Sequence, residues 1–256
     1  MQHSLMVTVV EALQLLEVSR AERAEPRTTG LPALDESTGG FDLGQCWIVV
    51  GTPGQGRSSL AAQWAWLLAS RHDLTTQLVS TTEPVTRVAA RIAALVAKVP
   101  MSHLGHHGLS GHDPEKLRLV GPMLDAAPLS ILGPGDLSMA DVNMDELPKS
   151  QVLVVDDAHH SGGMRPQRTA ALAARGHLVV LTLPRNRVVS EAGIEPTWAD
   201  VADFILDIDR PDLLDRTSLR PGEADLDLLR NRWGPTQSHL VGFQGHYSRF
   251  VHMAHG

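Results

Sequence analysis

The residues best placed to do chemistry lie in one glycine-rich run. Gly51-Thr52-Pro53-Gly54-Gln55-Gly56-Arg57-Ser58 follows the spacing of a phosphate loop: a glycine, four residues, then a glycine, a basic residue and a hydroxyl residue. Glycines let backbone N–H groups turn inward onto an anion, and a helix starting just after them adds the positive end of its dipole. Gly51, Thr52, Pro53, Gly54, Gln55, Gly56, Arg57, Ser58 and Ser59 are therefore the expected contacts for nucleotide phosphates. The Ser58 hydroxyl is placed to ligate Mg2+. Arg57 stands where such loops carry lysine. It keeps the charge but offers a broad planar fork in place of a compact ammonium. Phosphate binding can survive that exchange while stabilisation of a transition state suffers.

Hydrolysis of a phosphoanhydride also needs acids. The apolar run 152–155 ends in Asp156-Asp157, and Asp156, directly after the run, suits a carboxylate that holds Mg2+ through water. Glu83 follows the strand-like run 77–80 and can orient or deprotonate an attacking water. Either acid alone could equally be an ordinary helix N-terminal charge. Beside a phosphate loop, the functional assignment is the stronger one.

Other features are blander. His103, His106, His107 and His112 crowd the irregular segment 101–149, but their spacing fits no zinc pattern and no cysteine is near. They read as part of a solvated loop. Cys46, the single cysteine, sits inside an apolar run and reads as a small buried hydrophobe. One cysteine forms no disulfide framework, which suits a reducing cytoplasm. No apolar run is long enough to span a membrane. The net charge of −7 disfavours a globally basic nucleic-acid binder, so any such site must be local.

These groups need a scaffold, and the patterning supplies one. Residues 4–24 read as an exposed amphipathic helix stopped by Pro26. Beyond it, apolar runs at 47–50, 77–80, 129–132, 152–155, 178–181 and 204–208 alternate with helical stretches, one of them from about Ser58 to Ser70. That alternation predicts an α/β fold with a mainly parallel, twisted sheet flanked by helices. Segments 225–230 and 238–243, joined by a turn, predict a C-terminal antiparallel hairpin closing the sheet edge.

Several further motifs give the chain a resemblance. Thr29-Gly30-Leu31-Pro32-Ala33-Leu34-Asp35 followed by Thr38-Gly39-Gly40-Phe41, the closing run Arg230-Asn231-Arg232-Trp233-Gly234-Pro235-Thr236, and Phe243-Gln244-Gly245-His246-Tyr247-Ser248-Arg249-Phe250 resemble the C-terminal motor domain of DnaB-type replicative DNA helicases, superfamily 4. The likeness runs over roughly 28–254. It implies a RecA-like P-loop NTPase that binds ATP and Mg2+, assembles as a homo-oligomer, a hexameric ring, and holds single-stranded DNA in the central channel. It implies that Arg230 and Arg232 reach the ATP site of a neighbouring subunit, and that other replication-complex proteins are partners. The domains implied are a linker-like helix over 1–27 and a helicase ATPase domain over 28–256.

The sequence departs from that family at several places besides Arg57. The resemblance starts near residue 28, so the family's N-terminal assembly domain is expected to be absent. The DNA-touching loop after Asp157 is reduced to something like 161–168. Apolar Leu183 stands where the family carries a polar sensor, usually glutamine. Two expectations from different classes follow: an ATP-driven DNA helicase, or a weakly or non-hydrolysing ATP-binding oligomerisation and regulatory module derived from one. A recombination ATPase of the RecA and RadA kind shares the fold but accounts less well for the closing hairpin.

Overall fold

The computed structural model describes residues 9–21, 27–134, 151–160, 164–214 and 217–253. In chain order the elements are α1 (Val9–Ala21), α2 (Pro32–Thr38), β1 (Cys46–Gly51), α3 (Arg57–Ser70), β2 (Thr76–Ser80), α4 (Val85–Ala97), α5 (Met101–Leu104), α6 (Asp113–Ala126), β3 (Leu129–Leu132) and β4 (Val152–Asp156). They continue with α7 (Pro166–Ala174), β5 (Leu178–Pro184), β6 (Val189–Ser190), β7 (Gly193–Ile194), α8 (Pro196–Val201), β8 (Phe204–Asp209), α9 (Pro211–Leu214), β9 (Glu223–Asn231), β10 (Ser238–Gln244) and β11 (Arg249–His252).

Among the described residues one nine-stranded sheet organises the fold, in the order β11-β10-β9-β8-β1-β5-β4-β2-β3. From β8 to β3 every neighbouring pair is parallel, and β9, β10 and β11 continue the sheet antiparallel. The parallel strands are apolar at successive positions because both of their faces are covered. In β1, Trp47 and Val49 join one core with Leu60, Trp64 and Leu68 of α3, while Cys46, Ile48 and Val50 join the other with Leu172 of α7 and Trp198 of α8. An aromatic cluster anchors the first core: Trp47 stacks on Phe204 at 4.2 Å, and Phe41 meets Trp47 and Trp64 edge-on. The expected mainly parallel α/β sheet with a C-terminal antiparallel extension is what folds.

Three details differ from the sequence expectation. The hairpin of β9 and β10 does not close the sheet, because β11 pairs outside β10. Phe250 of β11 is buried against the loop before α3, and that packing recruits the extra strand. Segment 101–134 is more regular than expected: only 105–112 is an exposed loop, and α6 follows it, opening with Pro114 in its first turn beside Asp113 and Glu115, favourable residues at a helix start. Finally, Asp156 is the last residue of β4 rather than the first after it. Residues 135–150 and 161–163 lie outside the described residues, and with them the first three residues of the reduced loop expected over 161–168; its last three, 166–168, are instead the start of α7.

Of the helix expected over 4–24, Val9–Ala21 is described and helical. Val9, Val10, Leu13 and Val18 on it are all more than half exposed. No helix among the described residues is long and apolar enough to cross a membrane.

Candidate functional site

In open sheets of this kind ligands collect beyond the carboxyl ends of the parallel strands, where strand order reverses. The chain leaves β1 for the distant β2 and returns on the other side of β1 as β8, so this crevice falls at the end of β1. Gly51 ends the strand, Thr52, Pro53 and Gly54 are exposed, and α3 begins at Arg57.

Gln55 braces the loop from within. It is buried; its Oε1 accepts the Thr52 N–H at 2.8 Å and its Nε2 donates to Asp209 Oδ1 at 2.9 Å. Arg210 donates to the Gly54 carbonyl at 3.2 Å and lies 4.2 Å over the Phe243 ring. Ser59 and Ser248 hydroxyls are 2.7 Å apart, and the Gln63 amide bonds the Phe250 main chain at 2.8 and 3.0 Å. The C-terminal strands therefore hold the start of α3. Gly56 has φ +107°, and a Cβ there would lie 2.8 Å from Phe250 Cζ. Gly56→Ala is expected to destabilise the protein by about 1–3 kcal/mol through strain and overlap. Gly121→Ala in α6 meets nothing within 4 Å. It is expected to stabilise by about 0.5–1 kcal/mol. Thermal melts of the two variants should move in opposite directions.

Beside the loop, β4 ends in Asp156, which is buried. The Thr182 hydroxyl of β5 donates to its Oδ1 at 2.6 Å. Burial pushes the Asp156 carboxyl above the usual range and repulsion from Asp157 adds to it; the Thr182 and Ser58 hydroxyls and the Arg91 charge act against the shift. Ser58 and Asp156 are thus neighbours, an oxygen pair of the type Mg2+ favours.

Asp157 turns the chain back with φ +54°, an uncommon conformation for a side-chain-bearing residue. Thr182 Oγ1 accepts its N–H at 2.8 Å, and Thr82 Oγ1 donates to its Oδ2 at 3.1 Å. Arg57 Nη2 lies 3.1 Å from Asp157 Oδ1. The other end of the guanidinium, Nη1, is buried without a partner among the described residues. An unsatisfied buried donor at a phosphate loop is what a bound anion would complete, so the residues present fit a Mg2+–nucleotide. His159 lines a cavity of about 510 Å3 with Gly51, Thr52, Pro53 and the turn Arg185–Arg187. Partial burial, then the neighbouring His160, pushes its imidazole towards the neutral form.

The structure thus brings Arg57, Ser58 and Asp156 together. Glu83 is bound to Arg91 of α4 through both carboxylate oxygens, at 2.5 and 3.0 Å. Ser59 spends its hydroxyl on Ser248. Arg230 pairs with Ile205 in the strand register, three residues below the Ile208–Gly51 level, about 10 Å down the strands. It donates to the Ala202 carbonyl at 2.8 Å, and Arg232 pairs with Asp203 at 3.1 Å. Both arginines therefore lie away from this chain's own phosphate loop. Sequence reasoning ranked Asp157 below Asp156 and passed over Thr182 and Arg91. Neither Thr182 nor Arg91 shows a local pattern. Leu183 is buried in the second core. Of the crowded histidines, His103 pairs with Asp113 at 2.7 Å, whereas His106, His107 and His112 are exposed.

A parallel sheet with a phosphate loop at its switch point and an acid on a nearby strand end defines a RecA-like P-loop NTPase fold. The chain belongs to the DnaB-like helicase C terminal domain family, whose sequence model matches residues 27–157. Replicative DNA helicase DnaB of Leifsonia xyli subsp. xyli is 25% identical over 270 residues, covering 93% of this chain and 59% of that protein. The Mycobacterium leprae protein of the same name is 49% identical over 53 residues, 21% of this chain and 9% of that one. The chain spans less than two thirds of the length of these relatives. Among solved structures, the ATPase domain of G40P superposes with a TM-score of 0.80 at 14% identity, covering 96% of this chain and 99% of that one. A DnaB-like replicative helicase described with its primase interactions gives 0.77 at 15% identity, covering 96% and 69%. The phosphate loop, Glu83 and Asp156 fall inside the family match, and Arg230 and Arg232 fall beyond it.

Proposed function

We propose that this chain is the ATP-driven motor domain of a cytoplasmic replicative helicase, which moves on single-stranded DNA as a homo-oligomeric, hexameric ring and unwinds duplex. The observation that carries this is the convergence of Arg57, with one buried unsatisfied donor, Ser58 and Asp156 at the carboxyl ends of the central strands. Bound Mg2+ would draw charge from the phosphates. Arg57 and the loop N–H groups would bind them, Ser58 and Asp156 would hold the metal, and Glu83 would orient water once turned from Arg91. Arg230 and Arg232 act on the neighbouring subunit's nucleotide, a role compatible with their distance from the local loop. The linker-like helix α1, with its exposed Val9, Val10, Leu13 and Val18, packs on an adjacent subunit. Replication-complex proteins are the further partners.

A subunit-mixing experiment tests the shared site. Arg230→Ala combined with Arg232→Ala is expected to leave nucleotide affinity intact but cut turnover by about 10³-fold, as loss of a trans arginine does. Mixing that variant with Asp156→Asn subunits should restore part of the turnover, because some interfaces then pair an intact metal site with intact arginines. No recovery would contradict action in trans. Release of a labelled strand from a forked duplex, dependent on ATP, tests unwinding itself.

A non-hydrolysing ATP-binding oligomerisation module is the alternative, and the two-point binding of Glu83 by Arg91 favours it. Rings that need ATP to assemble but never turn it over would support this alternative.

A further inference from the structure

We propose that Asp157 is a resident competitor of the nucleotide: its carboxylate occupies Arg57 in the nucleotide-free protein, and a polyphosphate binds by drawing the guanidinium away from it. This rests on the nucleotide-binding role given to Arg57 above. The two side chains are largely buried, 11% exposed for Arg57 and 20% for Asp157, so water screens their attraction little. The contact is nevertheless one of charge alone, since Asp157 Oδ1 has no hydrogen-bond partner among the described residues despite lying 3.1 Å from Nη2. A charge contact without hydrogen-bond alignment is readily given up to an anion that offers aligned acceptors.

The two partners are not equally movable. Asp157 is fixed by the Thr182 hydroxyl on its N–H and by the Thr82 hydroxyl on Oδ2, at a backbone turn with φ +54°. Arg57 stands at the start of α3 on a long flexible stem, and Nη1 already lacks a partner among the described residues. Exchange therefore moves the guanidinium and leaves the carboxylate in place. The first turn of α3 holds no acid of its own, so Asp157 is the anion that meets the loop's cation.

A competitor of this kind discriminates among ligands. It lowers the affinity of any ligand whose phosphates must reach Arg57, in proportion to the fraction of molecules with the guanidinium engaged. It does nothing to a ligand without phosphates. Its penalty therefore falls on Mg2+–ADP and on Mg2+-bound nucleoside triphosphates, and not on a bare nucleoside.

Calorimetric titration of the full chain tests this with three probes: Mg2+–ADP, a Mg2+-bound non-hydrolysable ATP analogue, and adenosine. Asp157→Asn keeps the shape and tolerates the left-handed backbone, and Asp157→Gly relieves that backbone altogether. Both variants are expected to bind the two phosphate ligands more tightly, on the order of 10-fold, with any adenosine binding unchanged. A gain distinguishes the exchange from structural damage, which would weaken binding. Unchanged or weaker phosphate affinity in folded variants overturns the proposal, as does an equal gain for adenosine. Failure of wild type and both variants alike to bind any nucleotide overturns the assignment of the site as well.

Discussion

Asp156→Asn is expected to remove Mg2+-dependent nucleotide turnover while raising the melting temperature of the nucleotide-free protein. Both effects come from the same buried carboxylate. As an outer partner of the metal, its loss should cost about 10- to 100-fold or more in metal-dependent activity. Its charge, however, is expensive to bury, and Asp157 beside it adds repulsion. The amide of asparagine has nothing to ionise and still accepts the Thr182 hydroxyl. The sign of the pH dependence follows. Because folding raises the Asp156 pKa, the native state keeps its proton where the unfolded chain has lost it. This residue therefore contributes stability at low pH that is lost as pH rises through the raised pKa, opposite to a salt-bridged aspartate. Mg2+ binding moves the other way, weakening as the carboxylate is protonated. Melting curves against pH for the wild type and the Asp156→Asn variant should diverge above the ordinary carboxylate range; parallel curves would contradict this account of Asp156.

Arg57→Ala is the second large effect. Removing a charged donor from the phosphates should weaken ATP and ADP binding about 10- to 100-fold, since hydrogen bonds to charged groups contribute about 1.5–3 kcal/mol. Arg57→Lys is expected to keep binding and to raise turnover, because a compact ammonium replaces the planar fork. Equilibrium titration followed by single-turnover hydrolysis separates the two. Wild-type affinity in the alanine variant would show that Arg57 is not a phosphate contact.

The parts of this molecule legible from sequence are those written locally. Strands buried on both faces show as apolar runs such as 152–155, and a phosphate loop shows as fixed spacing between a strand and a helix. The helix α6 was partly legible too. Leu117, Val120 and Leu124 are partly buried at helical spacing, with Pro114 at the start, but Gly121 and Pro122 interrupt the pattern. The strand β11 was hidden because its reason is distant: Phe250 packs on Gly56, and Gln63 of α3 bonds its main chain. The site shows the same division. Residue types near Arg57 and Asp156 announced themselves, whereas the Arg57–Asp157 pair spans α3 and the end of β4. Glu83 illustrates the converse, since its position after β2 suggested water activation and its oxygens are bound by an arginine two turns into α4. Neither pairing repeats with a helix or strand period, so no local pattern encodes it.

The central claim is that a DNA-coupled ATPase works at the phosphate loop. Steady-state ATP turnover by the full chain with Mg2+, with and without single-stranded DNA, tests it most directly. The account predicts hydrolysis that depends on Mg2+, rises when single-stranded DNA is added and disappears in Asp156→Asn. ATP that binds but is never hydrolysed, with or without DNA, would contradict the motor and leave the nucleotide-binding assembly module in its place.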